Sequence, residues 1–178
     1  KFNNLQYIRT LGMELIISAS LYLYERNVEP KNILTGYDDP ISYIASLETA
    51  DDIFSVIGDI YRQIIDYLNN KANMKNQRIV QFIKDFVQNN MQKDISLDML
   101  SQHLFLTPNY IGQIFKNSTG MYFSDYVLKV RMERAKQLLS NPTYKIYEVA
   151  DMVGYKNPTY FSRLFREYTG INPSDYQK

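Results

Sequence analysis

Residues 96–126, SLDMLSQHLFLTPNYIGQIFKNSTGMYFSDY, and residues 146–176, IYEVADMVGYKNPTYFSRLFREYTGINPSDY, are two versions of one pattern fifty positions apart. Pro108 falls on Pro158, Tyr110 on Tyr160, Phe115 on Phe165, Thr119-Gly120 on Thr169-Gly170, and Ser124-Asp125-Tyr126 on Ser174-Asp175-Tyr176. That makes eight identities in 31 positions, joined by like-for-like pairs such as Ile114 with Leu164 and Lys116 with Arg166. A repeat of this kind means one structural unit built twice.

Each copy reads as a short helix (Ser96 to Leu104; Ile146 to Val153), a tight break (Phe105 to Pro108; Gly154 to Pro158) and a second helix ending at Gly120 or Gly170, where a left-handed C-cap suits glycine. Two helices joined by so short a turn form a helix-turn-helix. Such a pair buries too little alone, so each copy needs a third helix. Met121 to Ser140 supplies one between them, with Tyr126, Val127, Val130, Ala135, Leu138 and Leu139 for packing and Asn141-Pro142 as its stop.

A helix-turn-helix meets DNA through the outward residues of its second helix, which enters the major groove. In the first copy these are Asn109, Gly112, Gln113 and Lys116, and in the second Thr159, Ser162, Arg163 and Arg166. Arg163 suits paired hydrogen bonds to guanine, Gln113 suits adenine, and Arg166 suits a phosphate. Thr107 and Asn157 are N-cap candidates at helix starts that offer free N–H groups to phosphates. An exposed Lys, Arg or Gln is commonly just a solvated residue; the joint pattern of two cationic faces in matching places is what points to a polyanion. A connecting helix of about 20 residues spans about 30 Å, close to one duplex turn of roughly 34 Å.

The 178 residues, 45% apolar and 22% charged, suffice for a buried core, and 7 Gly with 6 Pro is too little punctuation for many short strands. The expected fold is all-α: two helix-turn-helix subdomains joined by a linker helix, preceded by a small helical connector. The chain has no cysteine and a single histidine, His103, so neither a thiolate nucleophile nor a metal centre is expected; no Gly-rich phosphate loop is present. We expect no enzyme, no cofactor and no metal, and the sequence shows no evident small-molecule ligand. The 16 Tyr and 9 Phe fall mostly at core spacing, although Tyr110 and Tyr160 are candidate phosphate contacts. The most apolar segment, Leu11 to Tyr24, is 14 residues long and contains Glu14, short of the roughly 20 a membrane crossing requires. No small-residue cleavage pattern follows it, so neither a membrane span nor export is expected and the setting is cytoplasmic.

The polar stretch Asn69 to Gln77 separates a region 1–77, with 7 Lys+Arg against 10 Asp+Glu (−3), from a region 78–178 with 13 against 9 (+4). Only the second favours a polyanion. In the first, a helix is expected from Leu5 to Arg26, a short one from Ile41 to Leu47, and another behind the N-cap Thr49 with Asp51 and Asp52 in its first turn. That last helix carries Ile53, Ile57, Ile60, Ile64 and Tyr67 at steps of four and three, a two-heptad seam. Either the seam packs on the first helix within one subunit, or it is a dimerisation surface. A further helix is expected from Arg78 to Met91.

The stretches TPNYIGQIFKNSTG (107–120), YVLKVRMERAKQLL (126–139) and KIYEVADMVGYKNPTYFSRLFREYTGINPSDY (145–176) resemble the DNA-binding domain of AraC/XylS-type bacterial transcription regulators. The resemblance covers about Arg78 to Lys178. It implies a seven-helix, two-lobed domain with recognition helices near Thr107 to Ser118 and Asn157 to Tyr168, a linker helix containing Arg131 and Ala135, and DNA-facing residues at the eight outward positions above. Gly112 departs from the larger polar residues usual there, which makes the first helix the weaker reader. The implied function is sequence-specific binding of double-stranded DNA, with RNA polymerase as a candidate partner. Residues 1–77 do not look like the β-barrel sugar sensor of many family members; they are similar to the helical connector of two-component response regulators whose phosphorylatable receiver lies upstream. A chain opening on Lys1 agrees with that expectation. A helical interaction module, with DNA contact secondary, is the rival reading.

Overall fold

A computed structural model describes residues 2–177, and it is helical throughout: α1 (Phe2–Tyr24), α2 (Pro40–Ser46), α3 (Ala50–Asn90), α4 (Leu97–Leu104), α5 (Pro108–Thr119), α6 (Phe123–Leu139), α7 (Ile146–Met152), α8 (Pro158–Thr169) and the single turn α9 (Pro173–Tyr176). The chain forms two compact units that divide between Met74 and Lys75. No described helix is long and apolar enough to cross a membrane.

In the first unit α1 and the first half of α3 lie alongside one another. Gly12 lies at their contact, where a Cβ would stand 3.1 Å from Ile57 Cδ1 and 3.3 Å from Ile53 Cγ2, tighter than ordinary packing. Asp39 caps α2 by accepting from Ile41 N at 3.1 Å, and Thr49 Oγ1 accepts from Asp52 N at 3.1 Å at the start of α3. The core gathers Ile16, Leu23, Val28, Ile33, Leu34, Ile44 and the α3 residues Ile53, Val56, Ile60 and Ile64.

Two expectations are corrected here. The heptad seam faces inward: Ile53, Ile60 and Ile64 are buried in this core, and Ile57 and Tyr67, half-buried, pack against it. The physical reason is that α1, α2 and the segment around Leu34 already cover that stripe. The polar stretch 69–77 is also no break, because α3 continues through it as one helix of 41 residues. Asn, Lys, Ala, Met and Gln in this stretch lack the burial pattern of a packed helix but include no Pro or Gly to interrupt the backbone.

The second unit has two cores. One collects Ile79, Val80, Ile83 and Val87 of α3 with Leu100, Ile111, Ile114, Phe115, Phe123 and Val127. The other collects Met132, Ala135, Leu139, Val149, Ala150, Val153, Phe161 and Phe165. Helix α6 serves both, its first half in one lobe and its second half in the other. It has 17 residues and hence a length of roughly 25 Å, somewhat less than expected.

The candidate DNA interface

The duplication is visible bond by bond. Phe115 and Phe165 are fully buried, and their rings meet Tyr126 and Tyr176 at 5.1 and 5.5 Å. Thr119 and Thr169 each donate their hydroxyl to the phenylalanine carbonyl four residues back at 2.7 Å. Gly120 (φ 74°) and Gly170 (φ 85°) close the helices, their N–H groups donating to Lys116 O and Arg166 O at 2.8 Å. A Cβ at either glycine would meet nothing, so it is the left-handed backbone alone that demands glycine.

On this common scaffold the outward residues stand as the periodicity requires. Asn109, Gln113 and Lys116 of α5 and Thr159, Arg163 and Arg166 of α8 are exposed, while Gly112 and Ser162 are half-buried at the base of each face. Arg163 leans across the ring of Tyr160, 5.1 Å from its centroid, with Nε 3.8 Å from Glu167 Oε1. Both partners are exposed, so the pair is weak and leaves the guanidinium edge available. Ser162 donates its hydroxyl to Pro158 O at 2.9 Å and retains its acceptor capacity. The second helix is tied to α6 by Tyr168, which donates to Glu133 Oε1 at 2.9 Å. Lys136, more than Tyr168, holds the Glu133 carboxyl below its ordinary range, while burial and then Glu133 raise the Tyr168 phenol.

The faces differ in detail. Lys116 Nζ donates to Tyr122 Oη at 2.6 Å and lies 3.9 Å from its ring centroid, so this cation is folded back along the helix. A hollow of about 430 Å³ opens beside Gly112, walled by Leu97, Pro108, Gln113, Tyr122 and Phe123.

The expectation that helix starts present free N–H groups needs correction at α8. Asn157 Oδ1 accepts from Thr159 N at 2.9 Å and Tyr160 N at 3.1 Å, and Pro158 has no N–H. The cap itself satisfies the donors a phosphate would have used. At α5, Thr107 Oγ1 accepts only from Tyr110 N, at 3.3 Å. Sequence reasoning also missed Phe105, 92% exposed and left-handed at φ 55° in the first turn. It missed a second stripe in the first unit, Phe54, Gly58, Tyr61 and Ile65, whose four-three-four spacing was there to be read.

Two amphipathic recognition helices on duplicated tri-helical lobes define a double helix-turn-helix DNA-binding protein. Residues 100–178 match the family model described as a helix-turn-helix domain. The chain is 43% identical over 77 residues to the transcriptional regulatory protein YesN of Bacillus subtilis, covering 42% of this chain and 21% of that protein. It is 32% identical over 180 residues to the raffinose operon transcriptional regulatory protein RafR of Pediococcus pentosaceus, covering 94% of this chain and 64% of that one. The C-terminal domain of AraT, a response regulator from Geobacillus stearothermophilus, superposes with a TM-score of 0.54 at 32% identity, covering 56% of this chain and 83% of that domain. The chain belongs to the AraC family of helix-turn-helix DNA-binding transcription regulators. It spans less than two thirds of the length of these full-length relatives.

Proposed function

We propose that α5 and α8 enter two successive major-groove segments of one bipartite duplex site, and that α8 is the stricter reader. The observation that carries this is the pairing of two exposed polar faces, Asn109-Gln113-Lys116 and Thr159-Arg163-Arg166, on one scaffold built twice. Arg163 reads guanine through paired hydrogen bonds, Gln113 reads adenine, and Arg166 holds a phosphate. Asn157 and Thr107 act by fixing the helix starts. Selection of bound duplexes from a random pool should return two half-elements about one turn apart, the one under α8 more strongly conserved among the winners. Binding should weaken steeply between about 50 and 200 mM salt. A pool that returns no motif, with salt-insensitive binding, would remove the proposal.

Similarity to a response regulator's C-terminal domain supports control by an upstream phosphorylatable receiver, with residues 1–77 as connector and residues 78–178 as the DNA-binding domain, in a cytoplasmic regulator acting beside RNA polymerase. For pairing of subunits, a different surface from the buried seam is favoured. Leu11, Leu15 and Tyr22 of α1 and Phe54 and Ile65 of α3 are exposed, and Tyr61 Oη donates to Leu15 O at 3.0 Å between the two helices. These exposed apolar side chains are a fit core for the roughly 800 Å² per partner of a stable interface. Sedimentation should find a dimer that Phe54→Asp with Leu15→Asp converts to folded monomer; a monomeric parent chain at high concentration would exclude the pairing.

A further inference from the structure

The two lobes share α6, and at the point where it passes from one core to the other stands Arg131. Its guanidinium is held from three directions. Nε donates to Met91 O at 3.1 Å and Nη2 donates to Lys93 O at 2.7 Å, both carbonyls lying just past the C-terminus of α3 in the first lobe. The same group lies 5.1 Å from the ring centroid of Tyr155, in the turn between α7 and α8 of the second lobe. Burial raises the Tyr155 phenol, and the neighbouring Arg131 opposes that rise.

Beside it, Gly154 (φ 86°) seats the second lobe's turn against the first. A Cβ there would stand 2.3 Å from Met91 O and 2.9 Å from Arg131 Nη2, so no other residue allows this approach. The positions equivalent to Gly154 and Tyr155 are Leu104 and Phe105, and Phe105 is 92% exposed. The two turns differ in backbone as well as in contact: the left-handed residue is Phe105 in the first lobe and Gly154, one position earlier in the repeat, in the second, and it is the second that is seated on Met91 O. A guanidinium carries five donors in a fixed planar fork, and carbonyls at a helix C-terminus bear partial negative charge, so the strap is both directional and charge-assisted.

We propose that Arg131, seated on Gly154, is a positioning residue that fixes the two recognition helices at one separation and one rotation, so that the protein reads the spacing between half-elements as well as their bases. The spacing half of this inference rests on the two-groove reading above; the geometric half does not. Arg131 touches no base in this scheme. It turns two tethered readers into one rigid ruler, because without it the lobes keep only α6 and the backbone approach of Gly154 to Met91 O.

The chain has no cysteine, so Gln102→Cys on α4 and Tyr147→Cys on α7, both exposed and away from the recognition helices, can carry nitroxide labels without background. In the DNA-free full chain, pulsed dipolar spectroscopy should give one narrow distance distribution. Arg131→Met should broaden it at least about twofold and Arg131→Lys should fall between, because an ammonium keeps the charge but loses the planar fork. An unchanged width in Arg131→Met would show that α6 alone sets the geometry and would overturn the proposal. Should Arg131→Met not fold, Tyr155→Leu removes the ring and leaves both carbonyl bonds; it too should broaden the distribution, and unfolding of both variants would mark a purely structural residue and end the proposal. On DNA, one base pair inserted between the half-elements should weaken the parent protein about tenfold or more and Arg131→Met only about twofold. Broadened labels with unaltered spacing dependence would count against the two-groove reading and not against the strap.

Discussion

The two recognition helices are the same object in their buried half and different objects in their exposed half. Phe115 and Phe165, Thr119 and Thr169, and Gly120 and Gly170 repeat one another to within a few tenths of an ångström in ring separations and hydrogen bonds. Outward, Gly112 stands against Ser162, Gln113 against Arg163, and a tethered Lys116 against an Arg166 that makes no side-chain hydrogen bond or ion pair among the described residues. The core is constrained by volume, where a single cavity costs several kcal/mol. The exposed face has no such constraint, so the two copies can specify different bases at little expense of stability.

The largest effect should be the one the copies share. Phe115→Ala and Phe165→Ala each empty a fully buried ring position and should each lower stability by about 3–5 kcal/mol in urea titrations. Losses differing by more than about 2 kcal/mol would show that the lobes are not equivalent in packing, whatever their sequence suggests.

Next comes the contrast in reading. Arg163→Ala should cost about 1–3 kcal/mol and relax selection at a single base pair, measured on duplexes varied one position at a time. Gln113→Ala should show the same pattern in its own half-element at the lower end of that range, because the hollow beside Gly112 leaves that face less tightly matched. Equal loss on every sequence would recast either residue as a phosphate anchor.

How much of this was legible follows from what periodicity reports. The repeat, both recognition helices and the outward residues could be read because apolar spacing marks which side of a helix is buried. The same signal does not name the covering partner, which is why the stripe from Ile53 to Tyr67 fitted a dimer as well as a core. Nor does it mark backbone continuity, so the polar segment 69–77 looked like a linker within what is one helix. The part of Asn157 in consuming Thr159 N and Tyr160 N depends on a side-chain rotamer, and the hold of Arg131 depends on carbonyls 38 and 40 residues away. Neither leaves a local trace.

A smaller effect separates the two turns. Phe105 is left-handed and almost wholly exposed, so its side chain contributes little packing while its backbone carries the strain of a non-glycine residue at positive φ. Phe105→Gly should raise stability by about 0.5–1 kcal/mol, the relief of strain being partly offset by the freer unfolded chain. A loss of stability would mean that this ring has packing value its exposure does not reveal.

The smallest effect concerns Lys116. Its ammonium is held by the Tyr122 hydroxyl and ring, whereas its counterpart Arg166 has no such tether, because Asn172 occupies the position matching Tyr122. An exposed contact of this kind is worth no more than about 1 kcal/mol, so a phosphate can compete for the cation but not without loss. Tyr122→Leu removes both restraints. Affinity should then rise about two- to threefold on all sequences alike, and the slope of log K against log salt should steepen by nearly one, the signature of one added phosphate contact. A gain confined to one base position would place Lys116 on a base edge instead. An unchanged slope would mean that the tethered ammonium already reaches the backbone, and the asymmetry between the helices would then lie only in Gln113 and Arg163 and in the hollow beside Gly112.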